Sequence, residues 1–116
     1  MENVDIIALP QFTKEILQLS KKYASLEKDF KNLLSELKNN PFSGNSLGHN
    51  CYKVRMKISA KQSGKSGGAR VITCVKIIER RIFLVSIYDK AERETITKKE
   101  IESILKLSGT YNETKN

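Results

Sequence analysis

The chain has 116 residues, and its 21 Lys and Arg residues outnumber 13 Asp and Glu residues, which gives a formal net charge of +8. This length suits a single domain, because two separate cores would each bury too little surface. The hydrophobic content of 39% is too high for a disordered chain, and no apolar run approaches the length of a membrane span. The first five residues contain two acidic residues and no basic one, whereas a signal peptide begins with a basic segment, so we expect a cytoplasmic protein.

The positive charge is concentrated in the middle third of the chain. Residues 37–78 contain no Asp or Glu and eight Lys and Arg residues. The other 13 basic residues are balanced by the 13 acidic ones, so this segment carries the whole net charge. Unopposed positive charge at this density predicts a surface for phosphate groups, as in RNA or DNA, or for another anionic surface. The alternative is a solvated basic face without a partner, although solubility alone would mix the two signs.

The N-terminal third predicts one strand and two helices. The short apolar run of residues 4–9 is typical of a strand, and Pro10 suits the first turn of a helix. Apolar residues then recur at helical spacing through residue 23, and again over residues 25–38, with Ser25 as the expected N-cap. Asn40 and Pro41 end the second helix.

The central segment predicts a loop followed by a strand with two different faces. Residues 41–50 carry two glycines and are expected to form a loop, whereas residues 51–59 alternate strictly. Three cations on one face repel each other unless they meet water or phosphate. These cations are Lys53, Arg55 and Lys57. The opposite, apolar face consists of Tyr52, Val54, Met56 and Ile58.

The remaining segments complete an α+β pattern. A glycine-rich turn over residues 61–68 precedes two strands, residues 70–78 and a nearly continuous apolar run at 82–88 that is typical of a central strand. Thr97 and Glu100 have the spacing of a capping box and open a last helix. The order β-α-α-β-β-β-α predicts a mainly antiparallel sheet with the helices packed on one face. We expect one domain over residues 1–108 and a frayed tail at 109–116.

Several familiar catalytic motifs are absent. Gly64-Lys65-Ser66 resembles the end of a P-loop, but Ser59 occupies the position of the required glycine and a strand follows. The single histidine, His49, has no acidic neighbour in the sequence and is expected to be a surface loop residue. Cys51 and Cys74 lack zinc spacing and are expected to be reduced, buried residues. The basic segment contains no carboxylates for metal ions, so neither a metal nor another cofactor is expected.

Three segments carry a family resemblance. They are residues 47–55 (LGHNCYKVR), 64–72 (GKSGGARVI) and 87–94 (IYDKAERE). These segments resemble the RelE/HigB-type toxins of bacterial toxin–antitoxin modules, and the resemblance covers about residues 4–105. It implies a RelE/ParE-like fold and a metal-independent endoribonuclease that cleaves mRNA, commonly on the ribosome. It also implies an antitoxin partner encoded by a neighbouring gene, often with a helix-turn-helix domain.

The resemblance also assigns roles to residues. Arg70 matches the arginine that opens the strand after the glycine turn, and we expect the flexible Gly67-Gly68 pair to let its guanidinium reach over the sheet to the scissile phosphate. Lys90 matches the lysine at the end of the next strand. Tyr88 is expected to stack on a base or to donate its hydroxyl, and the plain alternative is a core tyrosine. The expected catalytic residues are Arg70, Lys90, Tyr88 and Lys57, and the expected RNA-binding residues are Lys53, Arg55, Lys61 and Lys65.

The chemistry is compatible with these side chains. RNA supplies its own nucleophile, the 2′-OH, so the enzyme must orient it, move protons and stabilise the charge that develops on the phosphate. Lys or Tyr moves protons only with a lowered pKa, and a dense cationic face is expected to lower it. Two rival functions remain: a non-enzymatic, ParE-like inhibitor of DNA gyrase, and an RNA-binding homologue without catalytic activity.

Overall fold

The computed structural model of the protein describes residues 3–109, which fold into a five-stranded sheet and three α-helices. The sheet has the order β1-β5-β4-β3-β2, in which β1 is parallel to β5 and all other neighbours are antiparallel. The strands are β1 (Asp5–Ala8), β2 (Asn45–Gly48), β3 (Cys51–Met56), β4 (Ala69–Lys76) and β5 (Arg81–Asp89). The helices are α1 (Pro10–Lys22), α2 (Leu26–Asn39) and α3 (Lys98–Leu107), and a short 3-10 helix spans Ser59–Lys61. The predicted α+β fold with a mainly antiparallel sheet is confirmed.

The helices cover both faces of the sheet, which corrects the expectation that they share one face. Apolar residues of α1 and α2 pack against one set of alternate strand residues, including Val54, Val71 and Leu84. Residues of α3 pack against the other set, including Ile72 and Phe83. Because successive side chains of a strand point to opposite faces, α3 lies on the face opposite α1 and α2. The amphipathic stripe of a helix shows which of its sides is buried, but it does not show which face of a sheet that side meets.

The segment expected to be a loop at residues 41–50 contains the edge strand β2. Its sequence is Asn-Ser-Leu-Gly, which has little strand propensity, so the pairing with β3 forms this strand rather than its composition. Gly44 is required just before it, because its φ is +95° and a Cβ at this position would lie 2.4 Å from the carbonyl oxygen of Lys53.

β3 shows the predicted alternation and ends earlier than expected, at Met56. Val54, Met56 and Ile58 are buried, whereas Arg55 and Lys57 are exposed. The chain then turns into the 3-10 helix because the buried carboxylate of Asp29 accepts hydrogen bonds from the backbone N–H (2.8 Å) and hydroxyl (2.5 Å) of Ser59. Ser25 is the N-cap residue of α2, as expected, but its side chain makes no capping hydrogen bond. Its hydroxyl donates to Asp29 instead, since that acceptor lies one turn along α2.

The prediction of two reduced cysteines is wrong in this structure. Cys51 and Cys74 are directly opposed on β3 and β4, their Cα atoms are 4.1 Å apart, and they form a disulfide. The sequence places each cysteine in an apolar strand, but it does not show that the register of the two strands brings them together.

Two predictions concern the C-terminal part of the chain, the capping box of α3 and the frayed tail. The capping box of α3 is confirmed, because the Thr97 hydroxyl accepts from the Glu100 backbone N–H and the Glu100 carboxylate accepts from the Thr97 backbone N–H. The expected frayed tail lies outside the described residues from position 110 onward. Within residues 3–109, no helix is long and apolar enough to cross a membrane.

Candidate functional site

Four of the eight residues expected to act on RNA lie on the α3 side of the sheet. The strand register aligns Arg55 of β3, Arg70 of β4 and Tyr88 of β5 in one row across three strands. Lys53 lies two residues from Arg55 on β3, and its ammonium group is 3.4 Å from the Thr95 hydroxyl. We call Lys53, Arg55, Arg70 and Tyr88 together the cationic face.

Arg70 is buried, with 5% of its surface exposed, and it holds the glycine-rich turn. Its guanidinium donates hydrogen bonds to the carbonyl oxygens of Lys65 (3.2 Å), Ser66 (3.0 Å) and Ala69 (3.1 Å). Burial lowers the pKa of Arg70, and the nearby Arg55 lowers it further. A guanidinium nevertheless stays charged at neutral pH, so Arg70 contributes positive potential to the face while most of its donors are engaged by the turn.

The glycine pair before Arg70 is more constrained than the sequence suggests. Gly68 is buried against the end of β3, where a Cβ would lie 2.2 Å from the carbonyl oxygen of Met56. Its own carbonyl oxygen accepts a hydrogen bond from the Lys90 backbone N–H (3.1 Å). The expected reach of Arg70 over the sheet is therefore not observed, because the turn is anchored on both sides and the guanidinium points back into it.

The buried hydroxyl of Tyr88 makes no hydrogen bond of normal geometry among residues 3–109, although the Thr95 side chain lies close enough to lower its pKa. Only 6% of the residue is exposed, and its ring packs with the apolar side chains under α3. Burial raises the pKa of Tyr88, and this effect outweighs the opposing influence of Thr95 and of the cations Arg70 and Arg93. The cationic face therefore does not produce the lowered pKa that the sequence predicts for a tyrosine here. Tyr88 is protonated at neutral pH and is a hydrogen-bond donor.

Arg93 completes the surroundings of Tyr88, although the sequence analysis gave it no role. Its guanidinium carbon lies 5.5 Å from the centre of the Tyr88 ring, and its Nε donates to the Thr95 carbonyl oxygen at 2.8 Å. It also forms an ion pair with Glu100, the same carboxylate that caps α3. A loop arginine seven residues before a capping-box glutamate carries no sequence signal, so only the structure identifies this link.

The exposed cations lie along the outer edge of β3. Because β2 pairs with β3 only as far as Lys53, the edge of β3 beyond this residue is unpaired. A groove of about 340 Å³ follows this edge, lined by Lys53, Arg55 and Lys65 together with Glu36. Lys65 contacts Glu36 at 3.3 Å, but its side chain remains 59% exposed. The groove is therefore accessible to a phosphate backbone.

The other predicted site residues have different surroundings. Lys57 is exposed just beyond β3, near Asp29, and Lys90 is exposed directly after β5, beside the glycine-rich turn. Lys61 is not part of the cationic face. Its ammonium group contacts the buried carboxylate of Asp89 at 2.8 Å, and only 16% of its side chain is exposed. The sequence could not show this, because the two residues are 28 positions apart.

Asp89 is the centre of a polar cluster that the sequence analysis did not identify. Its carboxylate accepts hydrogen bonds from the Tyr23 hydroxyl (2.5 Å), the Lys61 ammonium group (2.8 Å) and the Ala91 backbone N–H (3.0 Å). Burial by itself raises the pKa of Asp89, but the hydrogen bonds from Lys61, Tyr23 and Ala91, together with the charge of Lys61, lower it by more than burial raises it. The cluster fixes the turn after β5, and this turn carries Lys90 and Arg93.

This arrangement is suited to binding a phosphodiester. Arg55 is an exposed cation next to the positive potential of Arg70, and the Tyr88 hydroxyl is a buried donor without a partner. A phosphoryl oxygen is a strong acceptor that such a donor satisfies, and arginine pairs with two phosphoryl oxygens at once. Because Tyr88 is protonated, it can donate a proton or a hydrogen bond to developing negative charge, but it is not suited to be the base.

The fold of the protein is similar to that of a solved toxin structure. The structure is similar to that of an arginine double mutant of E. coli toxin RelE in the free state, with a TM-score of 0.57 and 20% sequence identity. The similarity covers 78% of this chain and 87% of that chain. At this level of identity the match shows a shared fold. No curated protein sequence matches the chain.

The sequence itself identifies the family. The family model described as RelE toxin of the RelE/RelB toxin–antitoxin system matches residues 12–116, which is most of the chain. The protein therefore belongs to the RelE toxin family, as the resemblance predicted, and membership in this family implies a cognate antitoxin.

Proposed function

We propose that the protein is an endoribonuclease toxin that cleaves mRNA on the ribosome and thereby inhibits translation. The observation that supports this most directly is the unpartnered, buried hydroxyl of Tyr88 beside Arg70 and Arg93. A core tyrosine of purely structural importance normally satisfies its hydroxyl with a protein partner. A donor that remains unsatisfied next to two cations is poised for an anionic acceptor, as the phosphate of RNA would be.

In the proposed reaction the RNA 2′-OH attacks the adjacent phosphorus without a metal ion, and the bond to the 5′-oxygen breaks. Arg55 contacts the phosphoryl oxygens, while Arg70 and Arg93 supply positive potential from either side of Tyr88. The Tyr88 hydroxyl donates to the oxygen on which negative charge develops. Preorganised donors of this type are among the largest contributors to catalysis in a site that excludes water.

The two lysines with exposed ammonium groups near this row are candidates for proton transfer. Lys90 follows β5 directly and Lys57 lies just beyond β3, so they flank the row formed by Arg55, Arg70 and Tyr88. Lys53 and Lys65 line the groove at the edge of β3 and bind the RNA backbone outside the reacting phosphate. Lys61 supports the site indirectly, through its ion pair with Asp89.

The antitoxin is proposed to neutralise the toxin by covering this surface. The three cations of this face lie in the segment 37–78, which contains no acidic residue, and complementary charge is the usual way to mask such a surface. Acidic or apolar segments of the antitoxin laid over Arg55 and the β3 groove would exclude RNA.

The test is expression of the protein with and without its neighbouring gene, followed by mapping of mRNA 5′ ends. We expect new 5′ ends within translated regions and arrested growth when the protein is expressed alone, and neither when the neighbour is present. Growth arrest without new 5′ ends, together with inhibited DNA gyrase, would instead support the non-enzymatic inhibitor. Normal growth and unchanged 5′ ends would contradict the toxin function.

A further inference from the structure

β5 contains a β-bulge that changes which face its side chains meet. In the pairing of β4 with β5, Ile72 is opposite Ser86 and Thr73 is opposite Leu84, so Val85 has no partner. Before the bulge, Leu84 packs toward α1 and α2, and Val85 packs toward α3. After it, Ile87 packs toward α1 and α2 and Tyr88 toward α3. At the bulge the Ser86 hydroxyl reaches Glu15 of α1, although Ser86 is paired with Ile72 of the α3 side.

The bulge is the reason that Tyr88 belongs to the cationic face. Continued alternation from Leu84 would place Tyr88 on the α1 side, because a slip of one residue moves every following side chain to the other face. The same slip would put Ile87, instead of Tyr88, opposite Arg70. An extra residue in one strand is a feature that directs side chains next to active sites in many proteins.

Glu15 of α1 accepts hydrogen bonds from the two residues that follow the unpaired Val85. Its Oε1 accepts a hydrogen bond from the Ser86 hydroxyl at 2.8 Å and another from the Ile87 backbone N–H at 3.3 Å. Among residues 3–109 the Glu15 carboxylate forms no ion pair, so these two hydrogen bonds are its contacts with β5. A β-bulge leaves backbone N–H or C=O groups without their usual partners on the neighbouring strand. Glu15 supplies a hydrogen-bond acceptor at this point of β5.

We propose that Glu15 is a positioning residue that stabilises the bulge of β5. Through the bulge, it keeps Tyr88 in the row with Arg55 and Arg70. Glu15 lies on the opposite face of the sheet from Tyr88, so it touches neither RNA nor the reacting atoms. Its effect on cleavage rests on the proposed function, whereas its effect on the register of β5 does not.

The activity test is a double-mutant cycle on single-turnover cleavage of ribosome-bound mRNA. Glu15→Ala should slow cleavage about tenfold with little change in ribosome binding, because misplacement of a catalytic group reduces rate rather than affinity. Glu15→Gln keeps an Oε1 acceptor and should restore most of the rate. Glu27→Ala is the matched control, since Glu27 is an exposed glutamate of α2 whose side chain is 84% exposed. We expect wild-type cleavage from this control.

The second arm of the cycle separates positioning from general stability. In a Tyr88→Phe background, Glu15→Ala should cause almost no further loss of rate, since its effect is exerted through the Tyr88 hydroxyl. An equal loss in both backgrounds would overturn the proposal, because a merely structural role does not depend on that hydroxyl. Ser86→Ala removes one of the two hydrogen bonds to Glu15. This milder variant keeps the test possible if Glu15→Ala does not fold. It should reduce the cleavage rate less than Glu15→Ala does. Its effect, too, should disappear in the Tyr88→Phe background.

An activity-independent measurement distinguishes failure of this proposal from failure of the proposed function. Cross-strand NMR contacts between Arg70 and Tyr88 report the register after the bulge. They should be strong in the wild type and Glu15→Gln, and weakened or doubled in Glu15→Ala. Unchanged contacts in Glu15→Ala would overturn the proposal even if the protein cleaves mRNA. Altered contacts in a protein that cleaves no RNA would support the role of Glu15 and contradict only the proposed function.

Discussion

Replacement of Arg70 tests whether this residue mainly anchors the glycine-rich turn. Arg70→Ala removes three hydrogen bonds from a buried guanidinium to the carbonyl oxygens of Lys65, Ser66 and Ala69. At about 1 kcal/mol of net stabilisation for each bond, the free energy of unfolding should fall by about 3 kcal/mol. For a domain of this size, that loss corresponds to a fall in Tm of about 12 °C.

The assay is urea unfolding followed by circular dichroism, with Arg55→Ala as the matched control. Arg55 is the cross-strand neighbour of Arg70 on the same face, but it is exposed, so its removal should change stability by less than about 0.5 kcal/mol. Arg70→Lys should recover less than half of the loss, because an ammonium group cannot reproduce a planar fork of donors. Equal stability of Arg70→Ala and Arg55→Ala would refute the reasoning.

Three further predictions concern the cationic face, the polar cluster and the disulfide. Simultaneous Gln substitution of three exposed or half-exposed cations should preserve the fold and make RNA binding less salt-dependent. The logarithmic slope should fall by about one unit for each lost phosphate contact. An unchanged slope would argue against a role of these three cations in RNA binding. These cations are Lys53, Arg55 and Lys57. Asp89 has a pKa below its ordinary value despite its burial, so its stabilising contribution is complete above about pH 4 and is lost as the pH falls through the folded pKa. Asp89→Asn should therefore be less stable than the wild type at pH 7, with a difference that shrinks below about pH 4 in urea unfolding; a constant difference would contradict the lowered pKa. Reduction of the disulfide, which joins residues 23 positions apart, should lower the free energy of unfolding by about 3 kcal/mol, measured with and without dithiothreitol. A Cys51→Ser/Cys74→Ser variant should not respond to the reductant.

The sequence predicts those parts of the structure that depend on local periodicity. The alternation of residues 51–56 identifies β3, Pro10 marks the start of α1, and Thr97 with Glu100 marks the start of α3. These signals are local because each depends on residues one to four positions apart. The family resemblance adds the fold, which the structure confirms.

The features that the sequence does not reveal depend on pairing between distant segments. β2 has no strand propensity of its own, and the disulfide depends on the register between β3 and β4. The bulge at Val85 lies within a nearly continuous apolar run. Such a run shows no alternation of polar and apolar residues, so the sequence does not reveal where the alternation shifts. The surroundings of Arg70 are equally hidden, because its acceptors are backbone carbonyl oxygens that carry no side-chain signature.

The central claim is that Tyr88 donates from the cationic face to an RNA phosphate during cleavage. The most direct test is single-turnover cleavage of ribosome-bound mRNA by Tyr88→Phe, with Tyr52→Phe as the control. Tyr52 packs on the opposite side of the sheet, against Phe42, so its hydroxyl has no part in the proposed reaction. Loss of one preorganised donor should slow cleavage by Tyr88→Phe about 100-fold without weakening ribosome binding, and Tyr52→Phe should cleave at the wild-type rate. A folded Tyr88→Phe variant that cleaves within about threefold of the wild-type rate would contradict the claim, because a lost transition-state donor has a much larger effect.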